Sequence, residues 1–215
     1  MKKDIVTSLV AVVALTVICG LAYPLATTGV AQVLFASKAD GSQIERDGKV
    51  VGSSLIGQDF QRPVLDAGGK PKTDADGNPV LAPDLRYFQS RPSATGYSAS
   101  ATFFNNLGPN NAELRDMLDA SMAAYLERER PFTPDLRRDQ VPADAVTTSA
   151  SGVDPHISTA NARTQANRVA KERGLPVERV LALVDEHTDG RGFGVFGEPG
   201  VTVLQLNLAL DRETA

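Results

Sequence analysis

Residues 149–158 of the chain, SASGVDPHIS, place hydroxyls, a carboxylate and an imidazole within ten positions. Serine, aspartate and histidine are the groups of nucleophilic catalysis, in which an imidazole takes the hydroxyl proton and a carboxylate holds the imidazole in place. That chemistry needs a frame, and no G-x-S-x-G elbow surrounds Ser149 or Ser151 to lift a hydroxyl out of a sharp turn. The same residue types also have a mechanical use. Asp154-Pro155 starts a turn, and Ser158 stands where a side-chain oxygen caps a following helix. His156 then lies in the turn before that helix, with a ring able to bond exposed backbone. Turn and cap are the expectation, ahead of partner contact and of catalysis.

The other chemistry-bearing patterns are thinner. GFGVFG at 192–197 has the letters of G-x-G-x-x-G, but a dinucleotide fingerprint follows a strand and opens a helix. Here a helical pattern precedes and Pro199-Gly200 and a strand-like run follow, so a glycine-rich turn is expected. No G-x-x-x-x-G-K-[ST] sequence occurs, and the chain carries no nucleotide motif of its own. The two histidines, His156 and His187, lack zinc-binding spacing, and no metal site is expected. Asp74, Asp76 and Asn78 faintly resemble a calcium loop, but the glycine comes too early and no Glu closes the pattern, which leaves a turn around Asp76-Gly77. A single cysteine, Cys19, excludes an intrachain disulfide framework and a Cys-based zinc cage. With 22 Lys+Arg against 26 Asp+Glu and a formal net charge of -4, no surface basic enough to grip nucleic acid is implied, and pairs such as Arg137-Arg138 read as a solvated face.

The elements that must position these residues begin with a charge-free run. Between Asp4 and Lys38 lie 33 residues without a charged side chain, although 22% of the chain is charged. Its dense part, Ile5 to Leu25, would span about 32 Å as a helix, the hydrocarbon thickness of a bilayer. A cleaved signal peptide competes with this reading, with Lys2 and Lys3 as its basic region. The apolar run is longer than the usual signal core, however, and Ala22-Tyr23-Pro24-Leu25 offers no small-x-small cleavage site. An uncleaved anchor over 1–37 is therefore expected, with a cytoplasmic N-terminus set by Lys2-Lys3 and an extracytoplasmic domain over 38–215. Tyr23 suits an interfacial position, and Pro24 marks a kink or helix end.

The soluble part is long enough for one hydrophobic core. Leu55-Ile56, between glycines, reads as a strand or strand edge, and Pro63 to Pro83, dense in Gly, Pro and Asp, as an exposed loop or hairpin. Helical periodicity runs from Asn111 to Arg128 with Leu114, Met117, Leu118, Met122 and Tyr125 or Leu126 on one face. Ser158 caps a second helix that ends at Gly174, and Pro176 opens a third with Val177, Val180, Leu181 and Val184 on one face. Val201 to Asp211 (VTVLQLNLALD) alternates, and is expected to be a strand. Helices and strands without a βαβ repeat make the class α+β: a single N-terminal transmembrane helix followed by one mixed soluble domain.

Several blocks together resemble one family. YPL at 23–25, GSSLIGQDF at 52–60, YFQSRPSATGY at 87–97, NNLGPN at 105–110, TSASGVDPHIS at 148–158, NRVAKERG at 167–174 and LQLNLALD at 204–211 are similar, in order and spacing, to the KdpC family of the Kdp potassium-transporting ATPase. The 63–83 segment looks like an insertion relative to that pattern. The resemblance implies a non-catalytic, single-span accessory protein in the inner membrane. Its partners would be the potassium-channel-like KdpA and the catalytic P-type KdpB of that pump, with membrane lipid around the anchor. It also implies assistance in assembly and a rise in the ATP affinity of KdpB, the nucleotide being at most shared with that partner. The polar residues Arg91, Ser93, Tyr97, Asn106, Asp154 and His156 within these blocks become candidates for docking on the partners. A membrane-anchored extracytoplasmic hydrolase or binding protein is the alternative class.

Overall fold

A computed structural model describes residues 1–101 and 106–214, and the chain forms two compact units, Met1–Ser53 and Ser54–Ala215. The first unit is dominated by helix. α1 (Lys2–Val17) runs through one π-helical turn (Ile18–Ala22) into α2 (Tyr23–Ala39). Pro24 explains the wide turn. It has no N–H to return to the carbonyl one turn earlier, so the ladder loosens to the i+5 spacing over the preceding residues and the helix continues. Residues 2–39 thus make a helical run of 38 residues, kinked at Phe35 (φ -140°, ψ 41°) and long and apolar enough to cross a membrane. None of its residues is buried, and Ile5, Leu9, Val12, Leu21 and Leu25 are exposed on every side, the pattern of a helix that requires an apolar surround. A hairpin follows, β1 (Gln43–Arg46) against β2 (Lys49–Ser53), closed by Asp47-Gly48 with φ 52° and 73°, the left-handed pair that a two-residue hairpin turn needs.

The second unit packs helices on a small antiparallel sheet of order β5-β7-β6. β5 (His156–Ser158) and β6 (Thr188–Asp189) flank β7 (Gly200–Thr202), with His156 opposite Thr202 and Ile157 opposite Val201. α4 (Thr159–Arg173), α5 (Val177–Glu186) and α6 (Val203–Glu213) cover it, around Phe88, Ile157, Val169, Val180, Val184, Val201, Leu206 and Leu210. α4 is placed by its sequence as expected. Ser158 Oγ accepts from the Asn161 N–H at 3.1 Å, and Gly174 closes the helix at φ 66°. α3 (Ala112–Glu129) carries a smaller cluster, Tyr125, Leu126, Leu136 and Val146 with Met122 against it; Leu114, Met117 and Leu118, further up the expected stripe, are only half-buried.

Two expected strands are not strands. Leu55-Ile56 lies in a turn, with Leu55 exposed, because the chain there swings to bring Gly57 against another loop. Only the first two residues of Val201–Asp211 belong to β7; from Val203 the chain is helix, and Val203, Leu206, Asn207 and Leu210 all face inward at three- and four-residue spacing. The alternation VLQLNLALD also satisfies a helical period, and packing selects the helix. The 63–83 segment is the expected hairpin. β3 (Gln61–Pro63) pairs with β4 (Leu81–Pro83), and between them the bridges Leu65↔Pro71 and Thr73↔Pro79 close two separate small turns. Within it Asp66 and Asp74 each accept two backbone N–H groups, Gly68 and Lys70 in the first case and Asp76 and Asn78 in the second. Those donors hold the Asp74 carboxyl below its ordinary range, and Gly77 takes φ 84° at the turn tip.

Candidate functional site

The stretch at 149–158 is a loop folded against residues 91–97, and hydrogen bonds join the two throughout. The Ser149 N–H donates to Pro92 O at 2.9 Å, and Ser93 Oγ donates to Gly152 O at 2.6 Å while accepting the Tyr97 N–H at 2.9 Å. Tyr97 Oη then reaches back to Arg91 O at 2.8 Å. Burial, with the Asp59 charge as a lesser cause, pushes the Tyr97 hydroxyl up to about 12, so it stays a donor at any ordinary pH. Arg91 binds the other end of the loop: Nε to Thr147 O at 3.2 Å, Nη2 to Thr147 Oγ1 and Thr148 O, and Nη1 to Asp154 Oδ2 at 3.3 Å. Two glycines make the close fit possible. A Cβ on Gly57 would lie 2.3 Å from Asp154 O, and one on Gly152, at φ 72°, would lie 2.5 Å from Thr95 Oγ1.

Asp154 also accepts the His156 N–H through Oδ1 at 3.0 Å, the turn start expected of Asp-Pro. The His156 ring is set between two carboxylates, with Nε2 3.4 Å from Asp189 Oδ2 and Nδ1 3.9 Å from Asp154 Oδ1. Asp189 is held in turn by Thr202 Oγ1 at 3.1 Å. Asp144 accepts from Ser158 through both its N–H and its hydroxyl, and from Asn161 Nδ2, which ties the cap to the preceding loop. An open cleft of about 420 Å³ runs between Arg91, Asp154, His156, Asp189 and Glu198. The two serines stand apart from this ring: Ser149 Oγ bonds Ser151 Oγ at 2.9 Å, and the Gly152 and Val153 N–H groups donate to those same hydroxyls. Neither serine hydroxyl hydrogen-bonds His156, so the arrangement braces a loop and presents an Arg-carboxylate-imidazole surface.

Arg91, Ser93, Tyr97, Asp154 and His156 are thus brought into one region, all of them half-buried. Asn106 is exposed, with left-handed backbone at φ 49°, and makes no side-chain hydrogen bond to the other five; Asn105, before it in the NNLGPN block, lies outside the described residues. The residues that sequence reasoning missed are Asp144, Thr147 and Asp189, which are separated from their partners along the chain and carry no spacing signal. A second polar group was also missed. Arg168 and Glu129 are both fully buried, with Nε 3.1 Å from Oε2, and Arg168 also donates to Gln165 Oε1 and Tyr87 O. Gln165 and Asn207 bond the backbone of Gln89 and Phe88, each through both its donor and its acceptor. The signal for this group was available, since Asn161, Gln165 and Arg168 share a helix face with Ala162, Ala166 and Val169.

Residues 5–212 match the family described as KdpC, the K+-transporting ATPase c chain. The chain is 46% identical over 209 residues to the potassium-transporting ATPase KdpC subunit of Streptomyces coelicolor, covering 93% of this chain and 88% of that one. The KdpC subunit of Myxococcus xanthus is 47% identical over 215 residues, 99% of this chain and 89% of that one. That of Mycobacterium bovis BCG is 41% identical over 214 residues, 99% of this chain and all of the other.

Proposed function

This chain belongs to the KdpC family of K+-transporting ATPase c chains, and on that premise we propose that it is the non-catalytic accessory member of an ATP-driven potassium uptake complex in the cell inner membrane. Its partners in this reading are the potassium-channel-like KdpA and the catalytic P-type KdpB. The helix of residues 2–39 anchors the chain with Lys2-Lys3 in the cytoplasm, and the α+β domain faces the other side. The observation that carries the reading is the bonding of the SASGVDPHIS loop. Its hydroxyls and Asp154 are spent on fixing backbone, and the polar surface left over suits docking rather than turnover. An extracytoplasmic domain does not touch cytoplasmic ATP. The rise in ATP affinity of KdpB is therefore a coupling free energy transmitted through the assembled complex, and by reciprocity ATP on KdpB strengthens the hold on this chain.

Co-purification tests it. The tagged full chain, expressed with KdpA and KdpB, is expected to recover both, to show no hydrolytic activity alone, and to lower the ATP concentration that half-saturates the complex. Hydrolysis by the isolated chain, without recovery of either partner, would establish the membrane-anchored hydrolase instead. Val12→Arg, near the centre of the apolar run Ile5 to Leu25, costs about 2.5 to 3.5 kcal/mol on insertion scales, and membrane retention and partner recovery are expected to fall together. Recovery of the complex with a soluble fragment starting near Lys38 would show the anchor to be dispensable.

A further inference from the structure

The glycine-rich turn expected at 192–197 is present, as the loop that joins β6 to β7, and it has a property that a plain turn lacks. It carries three large apolar side chains into solvent: Phe193 is 98% exposed, Phe196 69% and Val195 66%. The loop holding them is tightly bonded. Gly192 and Phe196 form a bridge, with the Gly192 N–H donating to Phe196 O at 2.8 Å and the Phe196 N–H to Gly192 O at 2.9 Å. Arg191 Nη2 pairs with Glu198 at 2.7 Å across the base. Phe193 itself sits at φ 51°, a conformation that a glycine would hold at less strain, so a bulky ring is kept at the tip against local preference. Rigid aromatic anchors of this kind, presented with few rotamers to freeze, are the residues that dominate binding energy at protein interfaces.

We propose that Phe193, Val195 and Phe196 form a preorganised plug that docks into an apolar socket on the extracytoplasmic surface of a membrane-embedded partner in the same pump, an inference that rests on the accessory-protein reading above. The surroundings select this occupant. The loop continues into the cleft lined by Asp189, Glu198 and His156, so the apolar tip has a polar rim, the anatomy of a protein interface. A bilayer surface fits less well: segments that lodge there back their apolar side chains with Lys and Arg, whereas the charges here are Asp189, Arg191 and Glu198. A second copy fits less well too, because it would set two acidic rims, each with Asp144, Asp154, Asp189 and Glu198, against each other.

The lack of tryptophan makes the test direct. In the chain carrying Phe193→Trp, the only indole of this chain is at the tip, and its emission, taken as the difference from the same sample made with unaltered chain, is expected to shift to the blue when the pump partners are present and not in lipid nanodiscs holding this chain alone. A blue shift in the nanodiscs alone would make lipid the occupant and overturn the proposal, and one that follows this chain's own concentration would do so in favour of a second copy. Separately, Phe193→Ser/Phe196→Ser is expected to reduce recovery of the pump partners about tenfold, while Leu65→Ser/Leu81→Ser, which removes exposed apolar groups on the other hairpin, leaves recovery unchanged. Equal recovery with the phenylalanine variant, or equal loss with the leucine control, would overturn the plug and leave the accessory-protein reading standing. Failure of the unaltered chain to recover any pump partner would remove both.

Discussion

Two polar clusters in the second unit use the same chemistry and serve different ends. Around Arg168 the groups are out of water, with Arg168 and Glu129 0% exposed and Gln165 and Asn207 1%, save for Arg128, which shares the Glu129 carboxylate at 2.7 Å and is 20% exposed. Around Arg91 the pair is open, with Arg91 29% and Asp154 27% exposed. A buried pair is no strong source of stability in itself, because desolvation of both ions offsets their attraction, but breaking it leaves a charge with nowhere to go. An open pair loses little when broken, because water replaces the partner. Breaking the buried cluster is therefore costly to the fold, and the open one is available for contacts that can be made and released.

The sharpest way to break this contrast is to unpair Arg168. Glu129→Ala is expected to destabilise the unit by about 3–5 kcal/mol, a fall in melting temperature on the order of 10 °C by circular dichroism of the detergent-solubilised chain. Glu129→Leu together with Arg168→Met is expected to recover part of that loss; a double variant as unstable as Glu129→Ala would show that the carbonyl contacts, not the unpaired charge, dominate. Next comes Asn207→Leu, which keeps the volume and orphans the Phe88 N–H and C=O, at about 1–3 kcal/mol for each group. In the open cluster the effects shrink. Asp154→Asn and His156→Gln are each expected to cost about 0.5–2 kcal/mol in complex stability, with ATPase activity per assembled complex nearly unchanged. A collapse of several orders of magnitude in a fully assembled His156→Gln pump would instead mean that the imidazole moves a proton.

A titration sharpens the same contrast with the smallest effect. Tyr97 belongs to the open cluster and Tyr125, whose hydroxyl bonds Asn161, to the buried one. Burial raises both hydroxyls above their unfolded value near 10, Tyr97 to about 12 and Tyr125 further. A raised folded pKa favours the neutral phenol in the native state, so this stability is fully present below about pH 10 and is lost as pH climbs through the folded value. Tyr97→Phe is therefore expected to flatten the alkaline fall between pH 10 and 12. An unchanged slope there would assign the fall to other groups.

How much of this was legible in the sequence depended on which side chains carried the signal. Ser158 and Gly174 mark α4 because a cap oxygen and a left-handed residue are local requirements, and Asp154-Pro155 marks its turn for the same reason. The apolar span from Lys2 to Ala39 needs only composition. α6 was not legible: Val203 to Leu210 fits periods of two and of 3.6, and the choice is made by Phe88, more than 100 residues away, whose backbone the Asn207 amide must reach. Asp144, Thr147 and Asp189 were unreadable for a related reason, since each meets its partner only after the chain has folded. The Arg91 cluster was reached through resemblance, and its geometry came only with the loop.

Among the described residues the segment from Leu85 to Arg91 has no neighbouring strand, and its polar backbone is matched instead by the side chains of Gln165, Arg168 and Asn207. This is a borrowed sheet edge, made of rotamers rather than of chain. Side-chain amides register peptide groups and are blind to the residue that carries them. The main chain at Phe88 and Gln89 is thus held whatever the neighbouring side chains are, so Arg86, the exposed residue of the segment, can be rewritten while Arg91 keeps its grip on the 149–158 loop. A contact surface mounted on such a support can be retuned to a changing partner, residue by residue, without disturbing the scaffold beneath it.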